Sequence, residues 1–217
     1  MLIVVGGIKG GSGKTTIATN LCQMRAASSN KVLLVDADEQ RSSCDWSIQR
    51  DENIGSFKTL KSNHATFTTV CMSGKSVYSN LIKMRSDYDD IIVDTGGRDT
   101  TSQRSSLCDA DIFLIPFKPR SIDIWTIGSV KKIISECSNS KLKSFAFINQ
   151  ADSVGSDNED ALDILRECEE FQCLPFFIKN RKAFSNAAAS GLGVNELIPK
   201  DLKACEEIKM LYDYIYK

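Results

Sequence analysis

The chain has 217 residues, a formal net charge of −1, 42% hydrophobic residues and 25% charged residues. This length suits a single α/β domain over 1–217, able to bury about 70% of its unfolded surface without a disulfide or metal staple. The near-neutral balance excludes a global electrostatic field for nucleic acid, so such binding needs a local patch; no run of about 20 apolar residues exists to span a membrane.

Residues 2–5 read as a buried strand, followed by a glycine-rich turn and a helix through Ile17, Leu21 and Met24. Residues 32–35 form a second apolar run ending in Asp36. Residues 91–93 form a third, ending in Asp94. Runs at 112–115, 145–148 and 176–178 end at Pro116, at Asn149 and near Lys179. Continuous rather than alternating apolar runs mark strands covered on both faces. Their alternation with helical segments predicts an α/β fold, a mostly parallel twisted sheet with helices on both faces. The special residues follow the C-terminal ends of strands, the edge where open α/β sheets bind ligands. Residues 53–74 hold few apolar positions and predict no clear element. Leu202, Cys205, Ile208, Leu211 and Ile215 form a helical stripe, read as a core-facing helix.

The eight cysteines (Cys22, Cys44, Cys71, Cys108, Cys137, Cys168, Cys173 and Cys205) form no CxxC pair, and Met1 opens directly into a strand with no signal peptide. They read as reduced thiols of a cytosolic protein. His64 is the only histidine. Without a second imidazole or clustered thiols, no zinc site is expected.

The strongest signal is Gly6-Gly7-Ile8-Lys9-Gly10-Gly11-Ser12-Gly13-Lys14-Thr15-Thr16, between a strand and a helix. Its glycines let backbone N–H groups turn inward to phosphate oxygens, and the helix N-terminus adds partial positive charge. Gly10, Gly11, Ser12, Gly13, Lys14, Thr15 and Thr16 are therefore candidate nucleotide-binding residues. Lys14 would reach the β- and γ-phosphates of ATP, and the Thr15 hydroxyl would bind Mg²⁺. Asp94, at the end of an apolar strand and before Thr95-Gly96-Gly97, suits the same ion.

Ile8 stands where the strict GxxxxGK[ST] pattern has its first glycine. The segment Lys9-Gly10-Gly11-Ser12-Gly13-Lys14-Thr15 instead resembles the deviant Walker A loop, KGGxGK[ST], of the ParA/MinD family of P-loop ATPases. The resemblance runs nearly end to end. It implies that Lys9 is a signature lysine reaching the nucleotide of a second subunit, so that ATP binding drives homodimerisation. Asp36-Ala37-Asp38-Glu39-Gln40 is similar to the family's second motif, with Glu39 where proline is common. It implies Asp36 in the Mg²⁺ environment and Asp38 orienting the attacking water. Residues 115–123 resemble the family segment after the next strand. Residues 147–150 resemble the strand whose asparagine, Asn149, reads adenine; a turn-forming asparagine is the alternative.

The resemblance is nearest to small ParF-like plasmid partition ATPases, which lack an N-terminal helix-turn-helix domain. It implies a cytoplasmic, nucleoid-associated ATPase that binds DNA non-specifically. A ParB- or ParG-like centromere-binding or adaptor protein would stimulate hydrolysis. Arg181 falls where relatives place a DNA-contacting arginine. With Lys182, and with Lys179, Lys200, Lys203 and Lys209, it marks a candidate patch, although solvated lysines among Asp201, Glu206 and Glu207 fit the same pattern. Two alternatives remain: a membrane-cycling division regulator like MinD, and positioning of a non-DNA cargo. The first wants a basic amphipathic tail, which the mixed charge after residue 200 does not supply. A nitrogenase-iron-protein-like role wants cluster cysteines, and the segment Thr95-Gly96-Gly97-Arg98 after Asp94 holds none.

Overall fold

A computed structural model describes residues 1–56, 65–119 and 125–217. His64 and the end of the 115–123 segment lie outside the described residues.

Seven strands form one sheet: β1 (Leu2–Val5), β2 (Val32–Asp36), β3 (Thr68–Cys71), β4 (Asp90–Asp94), β5 (Ile112–Phe117), β6 (Lys143–Ala151) and β7 (Gln172–Lys179). Their order is β3-β2-β4-β1-β5-β6-β7, and every pairing is parallel. The six anticipated strands are present. β3 is the addition, inside the stretch that predicted no element. It lies at the sheet's edge with every residue at least partly exposed, so it lacks the apolar run that marks the central strands. β5 runs past the expected stop at Pro116. β1 ends at Val5, opposite Leu114, so proline falls where one side of β5 is an edge.

The described helices are α1 (Lys14–Ala27), α2 (Ser42–Ser56), α3 (Ser76–Met84), α4 (Thr101–Leu107), α5 (Ile127–Ser135), α6 (Asp157–Arg166), α7 (Lys182–Ala189) and α8 (Leu202–Tyr216). Alternate side chains of the central strands feed two cores. Leu2, Val4, Ile91, Val93 and Phe113 pack with Leu81 of α3, Val130 of α5 and Leu165 of α6. Ile3, Val5, Leu34 and Ile92 pack on the other face with Ile17 and Leu21 of α1 and with Ile208 and Leu211 of α8. Helices cover both faces of a parallel sheet, the α/β architecture that the sequence predicted. On α8 the predicted stripe holds at Ile208, Leu211 and Ile215. Leu202 departs from it at 70% exposure, because the buried line begins one turn into the helix at Ala204.

One expectation about the cysteines is corrected. Cys44 and Cys71 are joined by a disulfide with a Cα–Cα separation of 6.6 Å, while the other six remain thiols. The unexpected strand is the reason: β3 pairs Cys71 with Asp36 and so brings it beside the first turn of α2. No helix among the described residues is long and apolar enough to cross a membrane.

Candidate functional site

Parallel register decides where the acidic residues fall. Asp36 and Asp94 end neighbouring strands opposite each other, and Val5, the last residue of β1, pairs with Asp94. The loop at residues 6–13 therefore leaves the sheet beside both carboxylates. It enters α1 through Gly13, whose φ of 90° is a left-handed conformation suited to glycine. No side chain caps α1 and no acid lies in its first turn, so its leading N–H groups and partial positive charge face the loop.

Lys14 is buried, and its Nζ donates to the carbonyl of Lys9 at 2.8 Å. The Thr15 hydroxyl donates to Oδ2 of Asp94 at 2.7 Å, and Ser43, at the start of α2, donates to the same oxygen at 2.6 Å. Oδ1 of Asp94 is buried without a hydrogen-bond partner among the described residues. Burial pushes the Asp94 carboxyl up to about 7, against the lowering effect of the Ser43 and Thr15 hydroxyls. An orphaned carboxylate oxygen beside a threonine hydroxyl is a donor set that fits a hard divalent cation such as Mg²⁺. Asp36 takes one backbone donor at each carboxylate oxygen. Its Oδ1 accepts from the Asp38 amide at 3.1 Å and its Oδ2 from the Cys44 amide at 2.9 Å. Burial raises its pKa too.

Asp38 is half-buried in a turn that forms with Glu39 as its next residue. Its Oδ1 accepts from the Gln40 amide at 3.2 Å, and its carbonyl accepts from the Arg41 amide at 3.1 Å. A Cβ built on Gly96 would meet Asp38 Oδ1 at 3.0 Å, and one on Gly97 would meet Gly10 at 2.6 Å. The two glycines after Asp94 thus bring that segment into contact with both the Asp38 carboxylate and the phosphate loop. Lys9 is half-buried, and Thr16 occupies the first turn of α1.

Asn149 and Gln150 support the loop from β6. Asn149 is 4% exposed, and its Nδ2 donates to the Ser12 carbonyl at 2.7 Å. The amide lies beneath the loop, 2.2 Å from where a Gly13 Cβ would be. Gln150 sits at an irregularity of the β6–β7 pairing with φ of 55°, and its Nε2 donates to the Gly11 carbonyl at 2.9 Å.

Sequence reasoning missed Ser43 and Gln103. Gln103, on α4, is fully buried. Its Oε1 accepts from the Gly7 amide at 2.9 Å and lies 2.9 Å from the Thr95 hydroxyl. The Gly7 N–H fixes which way that amide faces, since a flipped amide would set donor against donor. Both residues are small or polar helix positions with no pattern to separate them from a solvated surface.

The candidate DNA residues lie elsewhere, at the start of α7. Arg181 is committed to Glu207 of α8, with Nη2–Oε1 at 2.6 Å and Nε–Oε1 at 3.0 Å; the same carboxylate accepts from the Lys179 amide. Lys182 is exposed. Lys179, Lys203 and Lys209 line the adjoining groove of about 590 Å³ together with Glu206, Glu207 and Asp213, so its charge is mixed.

Comparison with known proteins identifies the fold and the family. The chain is 26% identical over 220 residues to the maintenance of carboxysome distribution protein A of Halothiobacillus neapolitanus, covering 98% of this chain and 95% of that protein. Its fold matches a plasmid partition protein from Borrelia burgdorferi with a TM-score of 0.68 at 20% identity, over 99% and 96% of the two chains. It also matches an ATP complex of a McdA variant from Cyanothece with a TM-score of 0.73 at 17% identity, over 98% and 95%. Residues 3–194, which span the phosphate loop, both aspartate-bearing strands and the Asn149 support, match the CobQ/CobB/MinD/ParA nucleotide binding domain, and the chain belongs to that family.

Proposed function

We propose that this chain is a single-domain ParA-type ATPase, hydrolysing ATP to ADP and phosphate and using ATP-dependent homodimerisation to position cargo. The observation that carries the reading is the juxtaposition of Thr15 with Asp94, whose second oxygen is buried without a partner, at the foot of an uncapped glycine-rich loop. Residues 10–16 would wrap the phosphates, with Lys14 leaving the Lys9 carbonyl to meet the β- and γ-oxygens. Thr15 and Asp94 would hold Mg²⁺, which neutralises phosphate charge when bound, and Asp36 would shape the loop behind them. Asp38 would orient the attacking water. Lys9 would serve the nucleotide of the facing subunit.

The cargo proposed is plasmid or chromosomal DNA, with non-specific duplex binding near Lys182 and a ParB- or ParG-like protein stimulating hydrolysis on the nucleoid. The relative that maintains carboxysome distribution favours a second reading, in which the same motor positions a protein compartment. Direct titration tests the nucleotide assignment. Lys14→Ala is expected to lose at least about a hundredfold in Mg-ATP affinity, since it removes a charge-assisted contact to phosphate. Near-wild-type affinity would sink the assignment. An ATP-dependent shift of unrelated duplex DNA tests the non-specific duplex binding.

A further inference from the structure

The loop after β1 has two flanks, because β1 lies between β4 and β5. The β4 flank is acidic and carries Asp94. The β5 flank carries Lys118, the first residue after that strand. Lys118 is half-buried, and a Cβ on Gly11 would lie 3.5 Å from its Nζ, so the ammonium rests alongside the middle of the loop. Gly11 is fixed there. Its φ is +74°, and its carbonyl is held by Gln150.

Lys14 has the Lys9 carbonyl as a partner, whereas Lys118 makes no hydrogen bond or ion pair with any described residue. Lys118 thus sets an ammonium with no anion among the described residues beside a loop whose backbone is arranged for anions. The carboxylates of the site do not answer it. Asp94 is turned to Thr15 and Ser43, Asp36 to backbone amides, and Asp38 to Gln40 and Gly96.

We propose that Lys118 is a further phosphate-binding residue, which contacts the terminal phosphate of ATP bound to its own chain. The proposal rests on the nucleotide reading and deepens it: Lys14 enters from the helix side, and Lys118 closes the opposite side of the loop. Since ADP lacks the γ-phosphate, Lys118 makes the site discriminate between the two nucleotides. Its own contact requires charge and reach rather than a specific hydrogen-bond fork, so arginine should substitute for it.

Titration of wild type, Lys118→Met and Lys118→Arg with Mg-AMPPNP and with Mg-ADP tests this, with helix content checked by circular dichroism. Lys118→Met is expected to weaken AMPPNP about tenfold and ADP by less than about twofold. Lys118→Arg should stay within about threefold of wild type for both. Equal losses for the two nucleotides, or no loss, would overturn the proposal while wild-type binding keeps the nucleotide reading intact. Weakened AMPPNP in Lys118→Arg as severe as in Lys118→Met would also overturn it. A wild type that binds neither nucleotide would instead remove the nucleotide reading, and this proposal with it.

Discussion

The hydroxyl of Thr15 lies 2.7 Å from Oδ2 of Asp94, joining the first turn of α1 to the end of β4. Asp94 is 1% exposed. It holds the loop-helix junction while keeping one oxygen unpaired, and any change in its protonation is felt by both elements.

Its raised pKa, driven by burial, gives a pH dependence with a defined sign. The unfolded carboxyl titrates near about 3.9, the folded one at about 7. The folded state therefore binds the proton more tightly. The stability this group contributes is fully present below about pH 4 and is lost as pH rises through about 7. In denaturant titrations of the nucleotide-free and metal-free chain, Asp94→Asn is expected to flatten the stability profile between pH 4 and 7. Identical profiles for wild type and Asp94→Asn would contradict the account. The same titration predicts that Mg²⁺ competes better as pH rises, because the ion requires the deprotonated oxygen.

Gln103 ties the loop entrance to the segment after β4. Replacing it with leucine leaves the Gly7 amide without an acceptor in a buried setting. That should cost about 1–3 kcal/mol of stability. A similar cost is not expected from Thr95→Val, because the Thr95 hydroxyl is itself a donor that only chooses between the Gln103 oxygen and the Val5 carbonyl. Thermal melts of the two variants check the difference, and equal losses would refute this division of roles.

Arg181 and Lys182 are neighbours with different roles in the fold. Arg181→Ala is expected to destabilise the chain, since Glu207 would lose its partner in a largely buried pair. Lys182→Glu removes an exposed charge and should leave the melting temperature within about 1 °C. If duplex DNA binds through this face, Lys182→Glu should reduce ATP-dependent binding several-fold and shallow its salt dependence. Unchanged binding and an unchanged salt slope would place the DNA contact elsewhere.

The central strands and the phosphate loop were legible because burial on both faces leaves unbroken apolar runs, and each run at this edge ends in a chemically distinct residue: Gly6, Asp36 or Asp94. What was not legible depended on long-range placement. β3 hid because an edge strand needs little apolar surface, and with it hid the Cys44–Cys71 pairing across 27 residues. Asn149 was found at the right strand end. Its hydrogen bond to the Ser12 carbonyl depends on the close approach of Gly13, a long-range placement with no local pattern. Ser43, Gln103 and Lys118 became recognisable only once β4 and β5 were seen to flank β1. Arg181 drew notice as a cation, while Glu207, 26 residues later, occupies it.

The most direct test of the central claim is the molar mass in solution, by size-exclusion chromatography with light scattering, with and without saturating Mg-ATP. The wild type should pass from one chain to two on ATP addition. Asp38→Ala should bind ATP and remain a dimer, because the γ-phosphate is not cleaved. Lys9→Ala should still bind nucleotide through Lys14 and Thr15 yet stay a monomer. A wild type that remains monomeric in saturating Mg-ATP, or a Lys9→Ala chain that dimerises as the wild type does, would contradict the account.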